Sequence, residues 1–202
     1  MKKDPPSEQL QPIINLYTQG QLQQGLSKAT QMLEKFPNSV VLYNIAGACN
    51  AGLMQFDAAI SSYKQALKIN PDYAEAYYNI SVALKDKGDL DAAISSYKQA
   101  LKINPDYAQA YNNMGNALKE KGDLDAAISS YKQALKIKPD YAEAHNNMGI
   151  ALNHKGDLEA AIESYTQAIK IKPDYAQAYN NMGNTLKEKG DLDAAISSYK
   201  QA

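Results

Sequence analysis

The stretch GDLDAAISSYKQALKINPDYA, residues 88–108, returns at residues 122–142 with a single change, Lys138 in the place of Asn104. Pro37, Pro71, Pro105, Pro139 and Pro173 fall 34 residues apart, and Gly20, Gly88, Gly122, Gly156 and Gly190 keep the same phase. Met54 fills the one remaining glycine slot. A fixed period of this length marks a stack of one small unit, because no single unit can bury its own apolar face. In the quoted stretch Ala93, Ile94, Tyr97, Ala100 and Leu101 share one helical face, which predicts a helix over 90–103. Asp89 is placed to cap it, and Asp91, Lys98 and Lys102 complement its dipole. The turn NPDYAE then ends the helix at proline, and Asp72 with Glu75 reads as a D-x-x-E variant of the capping box. A first helix in the next unit carries Tyr77, Ile80 and Leu84 inward and closes at Gly88. Each period is therefore a helix–turn–helix.

Composition narrows the function. Hydrophobic residues make up 45% of the 202, enough for a core, and the formal net charge is -1. All 21 basic residues are lysines, interleaved with Asp and Glu. Without arginine or a basic patch the chain lacks the usual means of gripping phosphates and base edges, so no nucleic-acid partner is expected. Cys49 is the lone cysteine, excludes an intramolecular disulfide and reads as a small buried apolar residue. The opening MKKDPPSEQL has no apolar run behind its lysines, and no stretch approaches the ~20 apolar residues of a membrane span. A cytoplasmic protein with no membrane insertion is the expectation.

The repeat resembles the tetratricopeptide repeat (TPR) family. Counting Ala108 as the first place of a unit, that family's consensus sites are occupied by Tyr111, Gly115, Gly122, Ala127, Tyr131, Ala134 and Pro139. The resemblance covers residues 40–202 and implies an all-α, right-handed α-solenoid, a superhelix whose first helices line a concave inner wall. The organisation it implies is one solenoid domain. It comprises a degenerate capping repeat at 1–39, full repeats at 40–73, 74–107, 108–141 and 142–175, and a truncated repeat at 176–202. In the capping repeat Leu16, Gly20 and Pro37 fit, whereas Gly25, Ala29 and Met32 depart. Erosion of this kind suits an end whose outer face meets water. The chain stops at Ala202 partway along a second helix, so further repeats, another domain or some other cover is expected over that apolar edge.

One segment, AYNNMGNALKEKG at 110–122, carries three asparagines although asparagine is a mediocre helix former. On a helical wheel with Tyr111 at zero, Gly115 and Leu118 fall within roughly 40° and Met114 within roughly 60°. Gln109, Asn113, Asn116 and Glu120 fall roughly 140–200° away, with Asn112 on the flank. Away from the helix pair means toward the groove, if the resemblance holds. The sixth place of successive repeats is Asn79, Asn113, Asn147 and Asn181, and the fifth is Asn44, Tyr78, Asn112, Asn146 and Asn180. The ninth alternates Val82, Asn116, Ile150 and Asn184. A carboxamide both donates and accepts, as a peptide backbone does, so a column of them suits an extended chain of any sequence. The sixth-place column is similar to the asparagine ladder in the repeat superhelix of O-linked N-acetylglucosamine transferase-like proteins, which holds the backbone of protein substrates. Ile45 breaks the column, so it begins at Asn79.

The expected function is thus recognition of a protein or peptide in the groove by Asn79, Asn112, Asn113, Asn116, Asn146, Asn147, Asn180, Asn181 and Asn184, flanked by Tyr78. Lys85, Lys119, Glu120, Lys187 and Glu188 would set charge preference at the margin. The amides could equally keep an exposed wall wet and bridge adjacent helices, and copies this similar could reflect recent duplication. Two other functions fit the residues. The array could recruit substrates for a glycosyl- or sulfotransferase whose catalysis lies beyond residue 202, or act as a scaffold that self-associates through its uncovered C-terminal end. No phosphate loop, activated nucleophile or isolated carboxylate pair points to an enzyme within the chain. His145 and His154 have no Cys or His neighbours to complete a metal site, so no metal or cofactor is expected. Some TPR proteins clamp acidic tails with basic residues at the second, fifth and sixth places, which here hold Glu or Gln, mostly Asn, and Asn.

Overall fold

A computed structural model describes residues 4–202; residues 1–3 of the expected capping repeat lie outside them. All regular structure among the described residues is helical, arranged as consecutive helix–turn–helix pairs. They form two compact units, one ending at Pro105 and the other running Asp106–Ala202. The first unit holds α1 (Ser7–Thr18), α2 (Leu22–Lys35), α3 (Val40–Gly52), α4 (Phe56–Ile69), α5 (Ala74–Asp86) and α6 (Leu90–Ile103). The second holds α7 (Ala108–Glu120), α8 (Leu124–Ile137), α9 (Ala142–Lys155), α10 (Leu158–Ile171), α11 (Ala176–Lys189) and α12 (Leu192–Gln201). Within each unit the second helix of one pair packs on the first helix of the next, so the pairs stack as a solenoid.

Local chemistry explains the helix ends. Asp89, Asp123, Asp157 and Asp191 cap the second helices, each side chain accepting the N–H three residues on, at 3.1–3.2 Å. The first helices close in a Schellman motif. After α5, Gly88 N–H bonds Lys85 O and Asp89 N–H bonds Leu84 O, both at 2.9 Å, with Gly88 at φ +91°. Met54 closes α3 in the same way at φ +59°, with its side chain 75% exposed. The capping box expected of Asp72 and Glu75 does not form. Helix α5 starts at Ala74 with Tyr73 at its N-cap and no side-chain cap. Asp72 stands one residue too far out and is held in the preceding turn, its N–H on Asn70 Oδ1 at 3.3 Å. Glu75 turns its carboxylate to Tyr73 Oη and Asn44 Nδ2 instead.

The predicted inward face of 90–103 is the buried face of α6: Ala93, Ile94, Tyr97, Ala100 and Leu101. In the second unit Ala127, Ile128 and Tyr131 pack with Ala151, Leu152, Ala161 and Tyr165 as one core, with Leu118, Met148 and Met182 at its edge. The equivalent core of the first unit joins Ala59, Ile60 and Tyr63 to Ala76, Ile80 and Ala83. Four second-helix tyrosines pack closely on a glycine. A Cβ added to Gly47, Gly115, Gly149 or Gly183 would come within 2.4–2.6 Å of the ring of Tyr63, Tyr131, Tyr165 or Tyr199. Gly25, a departure from the repeat, has its own cause: a Cβ there would meet Cys49 Sγ at 3.2 Å. Cys49 is fully buried, and burial raises its thiol pKa.

Ion pairs recur at the junctions. Lys87 pairs with Asp57, Lys155 with Asp125, and Lys189 with Glu159 at 3.2 Å. Lys138 and Lys172 lie over the rings of Tyr141 and Tyr175, 5.1 and 5.0 Å from the centroids. On α12, Leu192, Ile196 and Tyr199 are 59%, 52% and 38% exposed, whereas Ile128 and Tyr131 in the matching places of α8 are buried. No helix among the described residues is long and apolar enough to cross a membrane.

Candidate functional site

The first helices of the second unit, α7, α9 and α11, put their asparagines side by side. Asn147 Nδ2 donates to Asn112 Oδ1 at 3.1 Å, and Asn181 Nδ2 donates to Asn146 Oδ1 at 2.9 Å. The first unit repeats the bond between α5 and α3, Asn79 Nδ2 to Asn44 Oδ1 at 2.9 Å. So the sixth-place amide of one repeat holds the fifth-place amide of the repeat before it. Asn112 and Asn146 are 3% and 1% exposed, inside the stack, while Asn180 on α11 is exposed. Asn112 Nδ2 also donates to Asn113 Oδ1 at 3.2 Å.

The sixth-place amides keep part of their capacity. A carboxamide has two N–H donors and one oxygen, and the inter-repeat bond uses a single N–H. The Oδ1 atoms of Asn79, Asn147 and Asn181 accept from no side chain among the described residues, and all three residues are half-buried. Each is thus held in one orientation with an acceptor and a donor still to offer.

At the ninth place Asn116 Oδ1 accepts from Tyr131 Oη, and Asn184 Oδ1 from Tyr199 Oη, both at 2.8 Å. Where that place is Ile150, the Tyr165 hydroxyl comes near Thr185 of the next repeat, which lowers its pKa against the effect of burial. The ninth-place asparagines therefore serve the tyrosine hydroxyls of their own repeats. Burial raises the pKa of Tyr63, Tyr131 and Tyr165, the last to about 12.

The expected margin residues are dispersed. Asn153 Nδ2 holds Glu188 Oε2 at 2.9 Å and Thr185 Oγ1 at 3.1 Å. Lys85 Nζ lies 3.5 Å from Asp86. Lys187 and Glu120 are exposed, and Lys119 is half-buried. Tyr78 packs its ring against Tyr97, 6.1 Å between centroids and tilted by 59°. His145 Nε2 contacts Pro139 O at 3.0 Å. No three His, Cys, Asp or Glu side chains gather as a metal set among the described residues.

Sequence reasoning missed a cavity of about 380 Å³ in the first unit. It opens among α1, α3 and α5 over Ile14, Ile45, Ala48 and Val82, with Asn44, Glu75 and Asn79 at its rim. The signal was present in the ninth-place residues Ile14, Ala48 and Val82, all apolar, with a small one in the middle.

A family model described as TPR repeat matches residues 55–86, 82–122, 115–154 and 151–190. Two crystal structures of MamA are each 30% identical to this chain. One covers 77% of this chain and 91% of its own at a TM-score of 0.72; the other covers 80% and 88% at 0.73. YrrB, described as a TPR protein with an unusual peptide-binding site, is 20% identical with a TM-score of 0.69 over 86% of this chain and 89% of its own, a likeness of fold. Among curated proteins, the probable UDP-N-acetylglucosamine–peptide N-acetylglucosaminyltransferase SEC of Arabidopsis thaliana is 34% identical over 74 residues, 37% of this chain. The match spans 8% of that relative's length. The chain belongs to the TPR family, a protein–protein interaction fold.

Proposed function

We propose that this TPR chain binds an extended peptide, or an extended segment of a partner protein, along its first-helix walls through the sixth-place asparagines. One observation carries the reading: Asn79, Asn147 and Asn181 are each fixed by a bond to the preceding repeat yet keep an unused Oδ1. An oxygen and a remaining N–H on one planar amide match the N–H and C=O of a peptide bond, and prior fixing lowers the ordering cost of binding. The fifth-place Asn112 and Asn146 act behind them as positioning residues. Asn116 and Asn184, whose oxygens are taken by tyrosine, offer the ligand only N–H donors.

The test is a peptide-array screen comparing wild type with an Asn147→Ala/Asn181→Ala variant and with Asn146→Ala. The double variant removes wall amides; Asn146→Ala removes only a buried partner. Loss of array binding by the double variant, well below its melting temperature, with binding kept by Asn146→Ala, is the expected result. Equal binding by all three folded proteins would leave the amides a purely structural role.

A second reading, recruitment of substrates for a glycosyl- or sulfotransferase, is favoured by the match to the plant transferase segment. Bound peptides would then be rich in acceptor serine or threonine hydroxyls. Equal binding by peptides lacking both would count against it.

A further inference from the structure

The cavity of the first unit differs in chemistry from the amide wall. The sixth place of α3 is Ile45, and the ninth places of α1, α3 and α5 are Ile14, Ala48 and Val82. Ala48 is the smallest of these and leaves the gap, so the floor is aliphatic where α7 and α11 carry Asn116 and Asn184. Tyr17 and Tyr63 also line it, and a concave site of this size with an aliphatic patch and polar groups around it is suited to a side chain rather than a backbone.

The rim supplies a fixed negative charge. Glu75 Oε1 accepts from Asn44 Nδ2 at 3.1 Å and Oε2 from Tyr73 Oη at 2.9 Å. No lysine pairs with Glu75 among the described residues, although lysines take up Asp57, Asp86, Asp125 and Glu159. The carboxylate is exposed and held by two neutral donors, so its charge is not cancelled. Asp86, which also lines the cavity, is paired with Lys85 at 3.5 Å, so the charge on offer is that of Glu75.

We infer that this cavity takes a bulky apolar side chain of a peptide whose neighbouring residue is lysine or arginine, the cation meeting Glu75. The inference rests on the peptide-binding reading above and gives it a sequence preference. An apolar side chain leaves water on entering the Ile14–Ala48–Val82 floor, and the adjacent cation selects against acidic neighbours.

The test uses fluorescence anisotropy at low salt with a labelled octapeptide of glycine and serine around a central leucine–lysine pair. Replacing its leucine by serine should weaken binding by about tenfold or more, the worth of one buried aliphatic side chain. Replacing its lysine by glutamate should weaken it by several-fold, an effect that fades with added salt. On the protein, Ala48→Leu fills the cavity and should reproduce the loss seen with the serine peptide. Glu75→Gln should cost the lysine peptide about two- to fivefold and leave a peptide with serine in place of lysine unaffected. Circular dichroism checks that each variant is folded, and the peptide substitutions test the cavity with wild-type protein alone. Indifference of the wild type to leucine, or to the sign of the neighbouring charge, overturns the inference. If the array peptides still need Asn147 and Asn181, the backbone reading survives that outcome; if no peptide binds at all, both fall.

Discussion

Replacing Met54 by glycine should make the protein more stable, and the size of the effect follows from the turn that ends α3. Met54 sits at φ +59°, its N–H on Ala51 O and the next N–H on Asn50 O, both at 2.9 Å. Four other first helices and α1 place glycine at the matching slot, with φ between +73° and +92°. A left-handed backbone costs a residue with a Cβ about 1–2 kcal/mol. The methionine side chain is 75% exposed, so little burial offsets that cost. Glycine gains freedom in the unfolded chain worth about 0.4–1 kcal/mol, leaving a net stabilisation of about 0.5–1 kcal/mol. Urea unfolding followed by far-UV circular dichroism measures it, with Met54→Ala as control because alanine keeps the strain. Glycine should raise the midpoint and alanine should not. A midpoint at or below wild type for Met54→Gly, or an equal rise for both, would refute the argument from backbone strain.

Three further outcomes are expected. Gly149→Ala should destabilise by about 1–3 kcal/mol in thermal or urea melts, since its Cβ would stand 2.6 Å from Tyr165 Cε1 in a packed core. Tyr131→Phe should cost about 1 kcal/mol by removing the bond to Asn116 Oδ1, and Asn116→Ile on that background should recover part of it, as the Ile150 repeat suggests; a double-mutant cycle reads the coupling. Alkali should unfold the protein in a defined window. Burial raises the tyrosine hydroxyl pKa in the native state, so stability is full below the ordinary tyrosine value of 10.0 and falls as the unfolded chain ionises first, through about 12 for Tyr165. Urea midpoints between pH 8 and 12 measure the fall, and phenylalanine at Tyr165 should shrink it.

The repeat, its helix pairs and the buried face of α6 were legible because helical spacing decides them locally. The fate of the asparagines was not. A wheel places Asn112 on a flank, but only the neighbouring helix α9 turns that flank into the interior, where Asn112 is 3% exposed. The capping role expected of Glu75 failed for the same kind of reason. Its carboxylate has a closer use in Tyr73 and in Asn44 on α3, the first helix of the preceding repeat. The ninth-place asparagines were visible, but the hydroxyls they bond arrive from another helix.

That arrangement has a consequence for how such an array can lengthen. Asn–Asn and Lys–acid bonds of the same form recur at successive junctions, so those contacts tolerate insertion or loss of any whole repeat. The Tyr165 hydroxyl is less tolerant. Tyr165, with Ile150 at the ninth place, has Thr185 of the repeat that follows near its hydroxyl, and the matching place one repeat earlier is Ala151. A tandem copy of residues 142–175 would set Tyr165 beside an alanine, whereas duplication of residues 142–202 would carry its hydroxyl partner along. Copying a single repeat is therefore neutral at the amide and ion-pair junctions but not at Tyr165, where the following repeat has to come along too.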